Sequence, residues 1–244
     1  MSESAVPAAA PSDAVTLTID GTVATIVVDD GKANALGHDV LGGIEHALDE
    51  IEASDALAVV VVGRPGRFSA GFDLSVMTAG PQPARDLLGR GARLGLRLYE
   101  FPVPVVFGVT GHALAMGGIL LCCADVRIGA RGGFKLGLPE VRIGMPVPAF
   151  AVELCRDRLE ARWFTRALQL ASHLSPEEAL DAGFLDQLVE PEEVAPLAAT
   201  VAAELAESLH PGPFRTTRAT MRGALASQLR EALAEDLAGF SVAD

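Results

Sequence analysis

The chain has 244 residues and a formal net charge of -13, with half of its residues hydrophobic and 5% aromatic. That length suits one large domain, or one domain plus a helical appendage, with a substantial core built from Ala, Val, Leu and Ile. The acidity argues against nucleic acid as a partner, because a phosphate-binding surface needs a basic stripe and no Lys/Arg run supplies one.

Residues 1–13 are rich in Ala, Pro and Ser and are expected to be disordered. They lack a charged stretch followed by a long apolar one, so no signal peptide is indicated. No apolar run reaches the roughly 18 residues needed to span a bilayer. A soluble, cytoplasmic protein with no membrane contact is the expectation. Residues 15–19 and 23–28 are β-branched runs around Asp20 and Gly21, a hairpin signal. A helical pattern then covers about 34–52, with Leu36, Val40, Ile44, Leu48 and Ile51 on one face. Residues 58–62 form a continuous apolar run, as expected of a strand buried on both faces.

Residues 84–100 read as a helix rich in glycine (Gly89, Gly91, Gly95), and mobility is expected there. Residues 105–109 are a second buried strand, Thr110 and Gly111 turn the chain, and a small-residue helix follows over about 117–124. Short strands are expected at 126–128 and 134–136. Cys122, Cys123 and Cys155 read as reduced core residues, since their spacing fits neither a metal site nor a disulfide framework. From Pro148 the pattern is helical, at 159–170, after the cap signal Ser175-Pro176-Glu177-Glu178, and at 192–209 and 213–239. Strands and helices alternate first and helices alone come last. That order predicts an α/β core with a helical tail able to pack on a neighbouring subunit.

Two glycine-containing turns follow buried strands. The first is Arg67-Phe68-Ser69-Ala70-Gly71-Phe72-Asp73-Leu74, and the second is Gly111-His112-Ala113-Leu114-Ala115-Met116-Gly117-Gly118. Small residues there let a ligand approach the backbone and leave N–H groups free to donate. The second turn also opens a helix, whose positive end favours developing negative charge.

These segments resemble the crotonase (enoyl-CoA hydratase/isomerase) family. The resemblance starts at Asn34-Ala35-Leu36 and runs through both turns, then Cys123-Ala124-Asp125-Val126-Arg127-Ile128 and Gly137-Leu138-Pro139-Glu140-Val141-Arg142-Ile143-Gly144. It ends with Leu174-Ser175-Pro176-Glu177-Glu178-Ala179-Leu180 and Gly183-Phe184-Leu185 and covers roughly residues 15–190. It implies an α/β spiral of ββα units over 14–190 and a C-terminal helical trimerisation region over 191–244. Acyl-CoA is the implied substrate, and a homotrimer or hexamer the implied assembly. Neither a metal nor a separate cofactor is expected.

The resemblance also implies site residues. The backbone N–H groups of Phe72 and Met116, with Gly117 adjacent, would form an oxyanion hole for the thioester oxygen. Lys32, Asn34, Leu36, Ser69, Ala70, Gly71 and Asp73 would line the CoA side, and Leu74, Met77, Ile119 and His112 the acyl pocket. Residues 75–92 would set the chain length accepted. Hydratases of the family use two glutamates, and here one is present as Glu140 while Ile119 stands at the other position. The pattern is similar to Δ3,Δ2-enoyl-CoA isomerases, which carry a single glutamate, so isomerisation with Glu140 as proton shuttle is the expectation. The alternatives are a specialised hydratase, with His112 replacing the missing acid, and a non-catalytic acyl-CoA-binding paralogue. Burial among apolar neighbours would raise the pKa of Glu140.

Overall fold

The computed structural model describes residues 10–239; the first nine residues of the segment expected to be disordered, and 240–244, lie outside the described residues. Strands β1 (Val15–Asp20) and β2 (Val23–Val28) form the expected hairpin, paired Val15 to Val28. Next come β3 (Ala35–Leu36), α1 (His38–Glu52), β4 (Ala58–Gly63), β5 (Gly66–Ser69) and β6 (Gly71–Phe72). Helices α2 (Leu74–Met77) and α3 (Pro81–Tyr99) lead to β7 (Val105–Val109), β8 (Gly111–Leu114), α4 (Met116–Leu121), β9 (Val126–Ala130) and β10 (Leu136–Gly137). The rest is α5 (Ala149–Arg158), α6 (Ala161–Ala167), α7 (Pro176–Ala182), β11 (Gln187–Val189), α8 (Val194–Ser208) and α9 (Pro211–Gly239).

The main sheet has the order β1-β2-β4-β7-β9-β11, and β10-β8-β5 form a second, smaller sheet. Each of β4, β7 and β9 thus feeds a shorter strand in the second layer, which gives the expected spiral. Strand β4 is buried throughout. Val59 and Val61 enter the main core, while Ala58, Val60 and Val62 face a second cluster under α8. Side chains alternate across a strand, so a strand covered on both sides has no polar position. Ala198, Ala202 and Ala206 of α8 recur at helical spacing and let that helix lie close on the sheet.

The helix expected from residue 34 begins only at His38. Asn34 has φ +51°, a left-handed conformation that asparagine tolerates better than most residues. Helix α3 forms through its glycines. A Cβ at Gly91 would stand 2.5 Å from ring carbons of Phe72, and one at Gly89 would stand 2.8 Å from Leu237 Cδ1. Gly89 and Gly91 thus mark close approach of neighbouring side chains.

The helical tail lies on its own chain. Arg218 of α9 donates to the carbonyls of Phe101 and Val103 and pairs with Asp125. Arg222 donates to the Tyr99 carbonyl (2.8 Å) and to Asp125 (2.9 Å). Asp236 accepts from the N–H groups of Ala149 (3.0 Å) and Phe150 (3.2 Å), capping α5 from far along the sequence. Ala226, Leu229 and Leu233 complete the buried stripe of α9 within the same core. Among the described residues no helix is long and apolar enough to cross a membrane.

Candidate active site

An apolar pocket of about 140 Å³ opens where both glycine turns meet the segment after β10. Ala70 and Phe72 come from the first turn, Ala115 and Ile119 from the second, and Pro139 and Glu140 from the third segment. Met77 and Leu88, on α2 and α3, line it as well, and so do Ile143, Met145, Pro146 and Pro148. Glu140 is the one ionisable side chain in this lining.

Glu140 begins a 3-10 turn (Glu140–Ile143) that ends at Gly144, whose φ of +78° suits glycine. Its side chain is 6% exposed, and its Oε2 has no hydrogen-bond partner. Burial penalises the charged form and pushes the carboxyl up to about 7, as its apolar surroundings predict. A carboxyl with that pKa can both take and return a proton near neutral pH.

Both glycine turns, which carry the candidate donors, line the same pocket as Glu140. Met116 is the first residue of α4, so its N–H and that of Gly117 have no acceptor inside the helix. Phe72 ends β6, and the Asp73 N–H that follows it donates to the Leu36 carbonyl at 3.3 Å. Gly71, at φ +92°, brings the two segments together. A Cβ there would stand 2.7 Å from Ala115 Cβ and 3.3 Å from the Met116 nitrogen. Ala115 itself holds φ +50° and ψ -126°, a strained conformation for a residue with a Cβ. A Cβ at Gly117 would collide with Ser69, 2.8 Å from its carbonyl oxygen. Small residues here set the distance between two backbones.

Leu74, Met77 and Ile119, the residues expected at the acyl pocket, line this pocket, with Leu74 at the exposed rim. His112 does not. It lies on β8, where the burial of Gly111 and Ala113 alternates with the partial exposure of His112 and Leu114. Its Nδ1 accepts from the Lys135 N–H at 2.9 Å, and its ring meets Phe134 edge to face. Burial, with the nearby Arg67 and Lys135 charges, holds its pKa below the ordinary histidine value. It faces away from the pocket and is in no position to replace a missing acid.

The CoA-side residues divide. Lys32, Asp73 and the backbone of Ala33 and Ala35 border a surface groove beside the pocket. Ala70 is exposed at the junction of groove and pocket. Asn34 and Leu36 are buried and present no side chain to that groove. The Asn34 amide donates to the carbonyls of Val28 (2.7 Å), Arg67 (3.2 Å) and Phe68 (3.3 Å), bracing the first turn from behind. Ser69 is also buried; its hydroxyl donates to the Asn34 carbonyl (2.8 Å) and accepts from the Gly71 N–H (3.1 Å). Asp73 caps α2 through Ser75, whose hydroxyl and N–H hold its carboxyl below the usual range. Sequence reasoning missed Met145 and the prolines of the far wall, which carry no chemistry and lie in irregular chain.

A model of the family described as Enoyl-CoA hydratase/isomerase matches residues 18–242. The chain is 33% identical over 202 residues to a Bacillus subtilis protein named "Probable enoyl-CoA hydratase", covering 80% of this chain and 77% of that one. It is 31% identical over 212 residues to Enoyl-CoA delta isomerase 1, mitochondrial, of Homo sapiens, covering 85% of this chain and 70% of that one. Among solved structures, an enoyl-CoA hydratase/isomerase family protein from Pseudomonas syringae matches with a TM-score of 0.90 and 38% identity, covering 94% of this chain and 99% of that one.

Proposed function

Because the chain belongs to the enoyl-CoA hydratase/isomerase family, the crotonases, we propose that it moves the double bond of a 3-enoyl-CoA to the 2 position, with Glu140 as the proton shuttle. The observation that carries this reading is the pocket lining, in which Glu140 is the single ionisable side chain and Ile119 is apolar.

In a 3-enoyl thioester the C2–H bond is acidified by both the carbonyl and the alkene. The Glu140 carboxylate takes that proton, and the electron pair spreads over C2, C4 and the thioester oxygen as a dienolate. The N–H groups of Phe72 and Met116, with Gly117 adjacent, hold the oxygen; such a donor is worth about 3 kcal/mol in other enzymes. Glu140 then returns the proton at C4, leaving the double bond between C2 and C3. The carbonyl oxygen regains its double bond and the carboxylate is regenerated. The pKa of about 7 supports both halves of the cycle. Lys32 and the backbone around Ala33, Ala35 and Ala70 are the groups that would receive the CoA portion.

Hydration is the second reading, favoured by relatives that are named hydratases. It needs a water held and activated besides a proton delivered to C2, and Ile119 can do neither. One missing acid–base group typically costs about 10²- to 10⁴-fold. Purified protein given trans-3-enoyl-CoA and, separately, trans-2-enoyl-CoA separates the readings. Isomerisation without uptake of water is expected, and rapid hydration of the 2-enoyl substrate would overturn it. Glu140→Gln should abolish turnover while acyl-CoA still binds; turnover absent from the wild-type protein too would point to a silent acyl-CoA-binding paralogue. The same reading carries a cytoplasmic homotrimer or hexamer, checked by light scattering and cell fractionation.

A further inference from the structure

The volume and closure of the pocket bear on which acyl chains it admits, an inference that rests on the isomerase reading above. Its space is about 140 Å³. An engineered apolar cavity of about 150 Å³ in another protein holds benzene, a molecule of six carbons. The reacting carbons share this volume with the rest of the chain, because Ala70, Ala115 and Glu140 line the same space.

The two sides of the pocket differ. Leu74 and Ile143 are 64% and 53% exposed and stand at the open side. Met77 and Leu88 are 5% and 3% exposed and belong to the main core, so packed side chains back them. Leu88 lies one helical turn before Gly91, where the Phe72 ring rests against α3. Ring and leucine therefore form one continuous wall. Pro139, Pro146 and Pro148, in irregular chain, line the pocket as well, and of the last two Pro148 is buried and Pro146 exposed. Extra carbons would have to displace packed core atoms, and overpacked cores resist this.

We propose that the protein acts on short, unbranched enoyl thioesters of about six acyl carbons, and that Leu88 is the residue that ends the pocket. Chains of about twelve carbons are excluded by the same wall.

The test is the binding of saturated hexanoyl-CoA and dodecanoyl-CoA to the wild-type protein by calorimetry, paired with conversion of trans-3-hexenoyl-CoA and trans-3-dodecenoyl-CoA. Hexanoyl-CoA is expected to bind at least tenfold more tightly, and Leu88→Ala to reduce that preference to threefold or less. Leu88→Val, a milder truncation, should move the ratio the same way if the alanine variant does not fold. Equal or tighter binding of dodecanoyl-CoA to the wild-type protein, or a preference unmoved by both substitutions, would overturn the proposal. A binding preference for hexanoyl-CoA with no isomerisation at any length would instead remove the isomerase reading and leave the length limit standing. Isomerisation at equal efficiency for both lengths would do the reverse.

Discussion

The ring of Phe72 occupies the space that any side chain at Gly91 would need: a Cβ at position 91 would lie 2.5 Å from two of its ring carbons. The backbone N–H of the same phenylalanine is one of the two proposed oxyanion donors. Gly91→Ala must therefore displace the ring, and the shift is expected to reach the N–H of the same residue. A 10- to 100-fold fall in kcat with KM changed less than threefold is expected, since the loss is of an interaction made mainly in the transition state. Steady-state kinetics on trans-3-hexenoyl-CoA check it, and a change confined to KM would contradict it.

The carboxyl of Glu140, with a pKa raised to about 7 by burial, must be ionised to act as a base. Below that pH the proton is already present, and kcat/KM should fall about tenfold per unit; above it the rate should level off. A pH–rate profile still flat down to pH 5 would show that another base does the work.

The same burial makes Glu140 a stability liability at neutral pH. Below about 4.5 the carboxyl is neutral in folded and unfolded chains alike. Between 4.5 and about 7 the unfolded carboxyl ionises and the folded one keeps its proton, so stability declines as pH rises, then becomes flat. That shift amounts to roughly 3 kcal/mol at pH 8. Glu140→Gln should accordingly raise the melting temperature relative to wild type at pH 8 and leave it nearly unchanged at pH 4.5. Thermal scans at the two pH values decide this, and an equal effect at both would rule out ionisation as the cause.

The Asn34 side chain braces the first turn. Asn34→Ala removes three donated hydrogen bonds to carbonyls and forces a Cβ-bearing residue without a polar side chain to hold φ +51°. A loss of about 3 kcal/mol in urea unfolding is expected. Asn34→Gly should recover about 1 kcal/mol of it, the backbone share. Identical losses for the two variants would place the whole effect in the hydrogen bonds.

What could be read from the chain alone follows physical lines. Strand β4 was legible because burial on both faces leaves an unbroken apolar run, and Glu140 because its segment Gly137-Leu138-Pro139-Glu140 is a family pattern. Strands β3, β6 and β10 have two residues each, too few to carry a period of two. His112 was misplaced for a related reason: residues 111–114 look like a glycine turn, yet they pair with β5 and β10 as β8. Once they form a strand, alternation sends His112 to the side away from the pocket. The glycines of α3 suggested motion because sequence shows the missing side chain but not the ring that fills its place.

The bond from Asp236 to the first turn of α5 also orders events in time. A ribosome making this chain lays down the main sheet, both donor segments and Glu140 long before it reaches residue 236. Until that aspartate emerges, the helix that follows Pro148 lacks its cap, and the proline wall of the pocket hangs from an unfinished end. The candidate chemical groups thus emerge first, and the cap that secures the neighbouring proline wall follows later in synthesis.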